Sequence, residues 1–93
     1  MSISLDLDGL KEINDTYGHG EGDWYIRFFA EMVKQNIRQE DLFARVGGDE
    51  FCIVLQGCSM ENVKERMEEI QQLFEQDSSK PYAKGFSFGL MEI

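Results

Sequence analysis

The sequence predicts an α+β fold, an antiparallel sheet with helices packed on one face and the chain order β-α-β-β-α-β. Three observations carry this. The chain opens with a period of two, Ile3, Leu5 and Leu7 alternating with Ser4, Asp6 and Asp8. Two strand-forming runs, Leu42–Val46 and Phe51–Leu55, are joined only by Gly47-Gly48-Asp49-Glu50, a hairpin-like connection. Apolar residues at helical spacing occupy the stretches on either side of that hairpin.

The elements follow in order. The first strand has one buried face, and its polar face ends in a pair of aspartates. Asp8 is placed to cap a helix starting near Gly9, with Leu10 and Ile13 facing the core. Asn14 to Asp23, "NDTYGHGEGD", contains three glycines and reads as turn, with Asp15 a structural residue. From Asp23, which can cap it, an amphipathic helix of about four turns turns Ile26, Phe29, Ala30, Val33 and Ile37 inward. After the hairpin, Ser59 caps a further helix with the stripe Val63, Met67, Ile70 and Phe74. Its Glu-rich outer face is expected to be solvated and to form i,i+4 pairs. "EQDSSKPYAK" reads as a loop, and Gly85–Ile93 as a closing strand with Phe86, Phe88 and Leu90 on one face. With its first helical part broken in two, the order is the ferredoxin-like split βαβ plan.

At 93 residues the chain is one domain at most. A chain of this size buries roughly 60–65% of its unfolded surface, enough for a modest core. Eighteen acidic residues against nine basic ones give a net charge of −9. That argues against a nucleic-acid polymer as partner, which needs a basic surface. A nucleotide remains possible if a divalent cation offsets the repulsion. Cys52 and Cys58 form no disulfide framework and are expected as reduced thiols, which fits a cytoplasmic setting. No run approaches the ~18–20 apolar residues of a membrane span, so no membrane contact is expected of this segment.

The chemistry is expected where acid concentrates. In this topology the first strand neighbours the central hairpin, so Asp6 and Asp8 approach Asp49 and Glu50. Converging carboxylates repel unless a cation lies between them, and hard oxygen donors suit Mg²⁺ or Mn²⁺ together with substrate phosphates. The helix after Asp8 aims free amides at the same region, with Lys11 in its first turn, an arrangement that binds phosphate. Gly47 and Gly48 remove side chains where a ligand would approach the backbone.

These residues carry a resemblance. "GGDEF", Gly47–Phe51, resembles the signature of the GGDEF family, the diguanylate cyclases. "LDLDGLKEINDTYGHGEGD", Leu5–Asp23, is similar to that family's other main block, at a family-like separation, and the likeness runs through essentially all of the chain. The resemblance implies a palm-like core related to nucleotidyl cyclases and polymerases. It implies condensation of two GTP into cyclic di-GMP with loss of pyrophosphate, dependent on Mg²⁺ or Mn²⁺, in a homodimer whose domains each hold one GTP. It assigns the metal to Asp6, the Leu7 carbonyl and Asp49, and makes Glu50 a metal ligand or the base for the attacking 3′-hydroxyl. It gives phosphate to Gly9, Leu10 and Lys11, an open approach to Gly48, and guanine to Asn14 and Asp23. Arg38-Gln39-Glu40-Asp41 reads RxxD ahead of Gly47, the family's site for inhibition by product.

Plainer roles exist for each. A hairpin turn explains glycine beside Asp, and a cap explains Asp8 better than a ligand does. Asp23 can serve as cap and base reader together, and Lys11 can be a solvated helix residue. His19 has no partner for a metal site and is expected as a hydrogen-bonded structural residue; Tyr17, Trp24 and Tyr25 are expected as packing or partly exposed residues rather than base-stacking platforms. The resemblance also implies a partial domain. The family's N-terminal helical lead-in and its C-terminal basic helix are expected outside residues 1–93, in a parent that carries a sensor or dimerisation module. The competing reading is a catalytically silent module that binds cyclic di-GMP or GTP; a purely structural interaction domain is weaker, since the motif residues are intact.

Overall fold

The computed structural model describes residues 1–92, so Ile93 of the expected closing strand lies outside the described residues. The elements are β1 (Ser2–Leu7), α1 (Leu10–Tyr17), α2 (His19–Gln35), β2 (Leu42–Arg45), β3 (Glu50–Val54), α3 (Met60–Gln76) and β4 (Phe86–Met91). The strands form one sheet in the order β2-β3-β1-β4, with every neighbouring pair antiparallel. Two crossovers produce that order. α1 and α2 carry the chain from β1 past β3 to β2, and α3 carries it from β3 past β1 to β4. The expected α+β plan is therefore the observed one.

The alternation in the strands divides the sheet into two faces. Ile3, Leu5 and Leu7, with Phe51, Ile53 and Phe86, are buried on one side against Tyr25, Phe29 and Val33 of α2 and Val63, Met67, Ile70 and Phe74 of α3. Phe29 sits at the centre, its ring 5.0 to 5.4 Å from those of Phe51, Phe86 and Phe74. Aromatic pairs at these separations add to the area they bury. The alternate residues Ser4, Asp6, Ala44, Ser87 and Gly89 are exposed.

Several local expectations are corrected. Asp8 does not cap α1. The N-cap residue is Gly9, in the left-handed region at φ 78° and ψ 12°, with no side-chain cap. The Asp8 carboxylate lies instead beside Ser87 and Gly85 on β4's side. The stretch Asn14–Asp23 is almost wholly helical, interrupted only at Gly18 (φ 95°, ψ 164°), and Asp23 lies inside α2 rather than capping it. The buried stripe of α2 is Tyr25, Phe29 and Val33, while Ile26 and Ala30 are half-buried and Ile37 lies beyond the helix. His19 is exposed at the start of α2 rather than bonded inside.

α3 begins as expected, the Ser59 hydroxyl accepting the Asn62 amide at 3.2 Å. Its expected i,i+4 pairs do not close among the described residues; Arg66 instead reaches the Asn36 carbonyl, at 3.1 Å. No helix among the described residues is long and apolar enough to cross a membrane.

Candidate metal and nucleotide site

Strand register builds the acidic cluster. β1 pairs with β3 so that Asp6 stands directly opposite Glu50, and the Leu7 amide donates to the Asp49 carbonyl at 2.8 Å. The β2–β3 loop is thereby tied to the end of β1. The loop is closed by the Val46 and Gly47 amides, both donating to the Glu50 carbonyl at 2.8 and 3.1 Å. Arg45 fixes its far side, Nε donating to the Gly47 carbonyl at 3.0 Å and Nη2 to the Gly48 carbonyl at 2.8 Å.

The outcome is three exposed carboxylates, Asp6, Asp49 and Glu50, with one oxygen of each within 4.8 Å of the others. Like charges directly opposite on paired strands are unfavourable, so the pairing is maintained at a cost that a cation would relieve. Three hard oxygen donors at this spacing fit Mg²⁺ or Mn²⁺, which take few carboxylates and complete their shells with water or phosphate. Asp8 is not in this group, contrary to the expectation that it joins Asp6 in approaching Asp49 and Glu50; its carboxylate lies beside Ser87 and Gly85 instead.

Beside the cluster, the turn into α1 is held from below. The Asp8 amide donates to the Gly85 carbonyl at 2.9 Å, and the Tyr25 hydroxyl donates to the Asp8 carbonyl at 2.7 Å. The left-handed Gly9 then turns the chain so that Leu10 and Lys11 open α1. Lys11 is exposed and forms no ion pair among the described residues. Neither Gly47 nor Gly48 has a positive φ, and a Cβ on Gly48 would meet nothing within 4 Å. The fold itself thus makes no demand for glycine at position 48.

The other sequence candidates fall in two further places. Asn14 lies against Gly22, the residue before the exposed Asp23, so the two proposed base readers both belong to the α1–α2 junction. Arg38 and Asp41 lie elsewhere, at the start of β2, where Leu42 pairs with Val54, the opposite end of the hairpin from Gly47–Glu50. There the Arg38 amide donates to Asp41 Oδ2 at 2.7 Å and Arg38 Nη2 donates to the Gln56 carbonyl at 2.9 Å. A cleft of about 340 Å³ opens beside them, lined also by Cys58, Asn62, Arg66 and Glu69. Cys52 and Cys58 are free thiols, as expected.

Sequence reasoning passed over Arg45 and Gly22, and it read Tyr25 as packing without its hydrogen bonds. Arg45 had a signal, a forked donor two residues before a loop whose carbonyls need partners. Tyr25 and Gly22 act through residues distant in sequence or in a different helix, which periodicity does not reveal.

The model for "Diguanylate cyclase, GGDEF domain" matches residues 1–91. A probable diguanylate cyclase of Escherichia coli K12, DgcJ, is 56% identical over 55 residues, covering 59% of this chain and 11% of that protein. Diguanylate cyclase DgcS of Shewanella oneidensis is 46% identical over 55 residues, covering 59% of this chain and 19% of that protein. The GGDEF domain of DgcB from Caulobacter crescentus, solved in complex with c-di-GMP, superposes with a TM-score of 0.89 at 29% identity, over 95% of this chain and 56% of that one. The active GGEEF domain of a Vibrio cholerae diguanylate cyclase superposes at 0.87 with 33% identity, over 95% of this chain and 58% of that one. The chain thus spans a small part of these curated relatives and little over half of the solved domains. On the match along residues 1–91, the chain belongs to the GGDEF family of diguanylate cyclases.

Proposed function

We propose that the chain serves a protein that condenses two GTP into cyclic di-GMP with release of pyrophosphate, working as a homodimer with one GTP per domain. The observation that carries this is the meeting of Asp6, Asp49 and Glu50 at one end of the sheet in a chain of this family. Asp6, Asp49 and the Leu7 carbonyl hold a divalent ion, Mg²⁺ or Mn²⁺. When bound, that ion neutralises charge building on the phosphate oxygens. Glu50 either completes the ion's ligands or accepts the proton of the attacking ribose 3′-hydroxyl. The amides of Gly9 and Leu10 and the Lys11 ammonium bind the phosphate tail at the α1 N-terminus. The open approach at Gly48 admits the nucleotide, which explains a glycine that the fold does not need. Asn14 and Asp23 read the base. A carboxylate accepts from both N1–H and N2–H₂ of guanine, and ATP leaves it unpaired.

The Arg38–Asp41 cleft favours an additional role as product receptor. Its size and its paired guanidinium and carboxylate suit a nucleotide ligand, and the related DgcB domain was solved in complex with c-di-GMP. One pair of variants tests both assignments. Asp49→Ala is expected to abolish cyclic di-GMP formation from GTP and Mg²⁺, read by mass spectrometry, while sparing product binding by calorimetry. Arg38→Ala is expected to do the reverse. An Asp49→Ala protein that still makes product overturns the catalytic assignment. An Arg38→Ala protein that binds product as the wild type does overturns the inhibitory one, and leaves the silent binding module without its site.

A further inference from the structure

We infer that Gly22 is a specificity-positioning residue, whose missing side chain is the seat of the Asn14 carboxamide and so sets the aim of the base-reading pair. This rests on the reading of Asn14 as a guanine contact. A Cβ built on Gly22 would lie 1.7 Å from Asn14 Oδ1, 2.8 Å from its Cγ and 3.3 Å from its Nδ2. The whole amide group therefore lies across the α2 backbone in space that even a methyl group would occupy.

The glycine is not needed for its own conformation. Only Gly9, Gly18 and Gly57 have positive φ among the described residues. Nor does α2 favour it, because glycine is the poorest helix former after proline. Gly20, two residues earlier in the same helix, would meet nothing within 4 Å if it carried a Cβ. Position 22 differs in being buried, and the nearest atoms to its missing Cβ are all of Asn14. Asn14 is anchored from its backbone side, where its carbonyl accepts the Gly18 amide at 2.9 Å. The yielding part of the contact is thus the end of the Asn14 side chain. A methyl at position 22 turns the carboxamide away from its seat and leaves both helices in place. An amide presents its donors and its acceptor in one plane, so rotating it misaligns every hydrogen bond it offers a base.

The test compares the protein with Gly22→Ala by three readouts. The expected result is a melting temperature unchanged or raised, a displaced Asn14 side-chain amide pair in the ¹⁵N spectrum, and a preference for GTP over ITP in calorimetric binding that falls at least ~10-fold. A purely structural glycine would lower the melting temperature and leave base preference alone. An unmoved Asn14 amide, or an intact GTP-over-ITP preference, overturns the inference. If Gly22→Ala folds poorly, the Asn14→Ala/Gly22→Ala protein decides: recovered stability supports the contact, and no recovery overturns it. Asn14→Ala alone separates the two levels. Should it keep full preference for GTP, the base-reading role falls and takes the functional part of this inference with it. If it loses preference while Gly22→Ala does not, only the role of Gly22 falls.

Discussion

Tyr25 joins three elements through a single buried oxygen. Its ring is packed against Phe74, and its hydroxyl donates to the Asp8 carbonyl at 2.7 Å while accepting the Gly85 amide at 3.1 Å. Burial pushes the hydroxyl above its ordinary range, so it remains protonated and able to donate. Tyr25→Phe keeps the shape and strands two backbone groups, and a stranded buried group costs about 1–3 kcal/mol. Urea unfolding is expected to show a loss of that size; a change below ~0.5 kcal/mol would mean that water replaces the hydroxyl freely. The acidic residues at this end of the sheet were legible because Asp6, Asp49 and Glu50 belong to motifs with fixed spacing. Tyr25 was not. A tyrosine on an apolar helix face reads as packing, and its partners come from positions 8 and 85. Arg45 is the contrasting case, since its two bonds go to carbonyls only two and three residues ahead and its forked donor was a signal open to reading.

At the scale of elements, the three glycines ahead of Asp23 read alike in sequence and behave differently in the fold. Clustered glycines ordinarily signal turn, hence the expectation of a loop from Asn14 to Asp23. Only Gly18 breaks the helix, at φ 95° and ψ 164°, a region that side chains rarely enter. Gly20 and Gly22 are held helical because α2 is anchored along its length by the packing of Tyr25, Phe29 and Val33. Tertiary burial overrides a weak local propensity, and no local pattern reports it. Gly18→Ala is therefore expected to cost about 1–3 kcal/mol, the strain of an L-residue in that region. Gly20→Ala, with open space and no positive φ, is expected to raise stability by up to ~1 kcal/mol. Chemical denaturation of both variants checks the contrast, and equal effects would refute the assignment of the break to Gly18. α3 shows the opposite case. Its stripe and its Ser59 cap were readable because cap, period and burial agree.

For the molecule as a whole, strand order followed from element order, since few topologies accommodate two crossovers and a hairpin in one sheet. The stretch 75–84 was readable only as a loop, yet its first two residues complete α3 and the rest works as a strap. Lys84 is buried with its ammonium on the Asp77 carboxylate at 2.8 Å and on the Asp77 carbonyl at 3.1 Å. Lys80 pairs with Glu21 of α2 at 2.7 Å and lies over Trp24, while the Tyr82 hydroxyl donates to Glu21 at 2.9 Å. The Lys80 hydrogen bond, aided by Tyr82, holds Glu21 below its ordinary 4.5, and the Lys84 hydrogen bond, aided by Ser79, holds Asp77 below its ordinary 3.8. Both folded values are depressed, so both carboxylates stabilise the fold fully above the unfolded values and lose that contribution as pH falls through the folded ones. The other carboxylates of this chain of net charge −9 titrate over the same range, so the wild-type curve alone does not isolate the strap. A Glu21→Gln/Asp77→Asn protein does. Its melting temperature is expected to lie below wild type at pH 7 and to change less between about pH 5 and about pH 3, so that the two curves converge in acid. Curves that stay parallel across that interval would show that the strap's ion pairs contribute nothing to the stability of the fold.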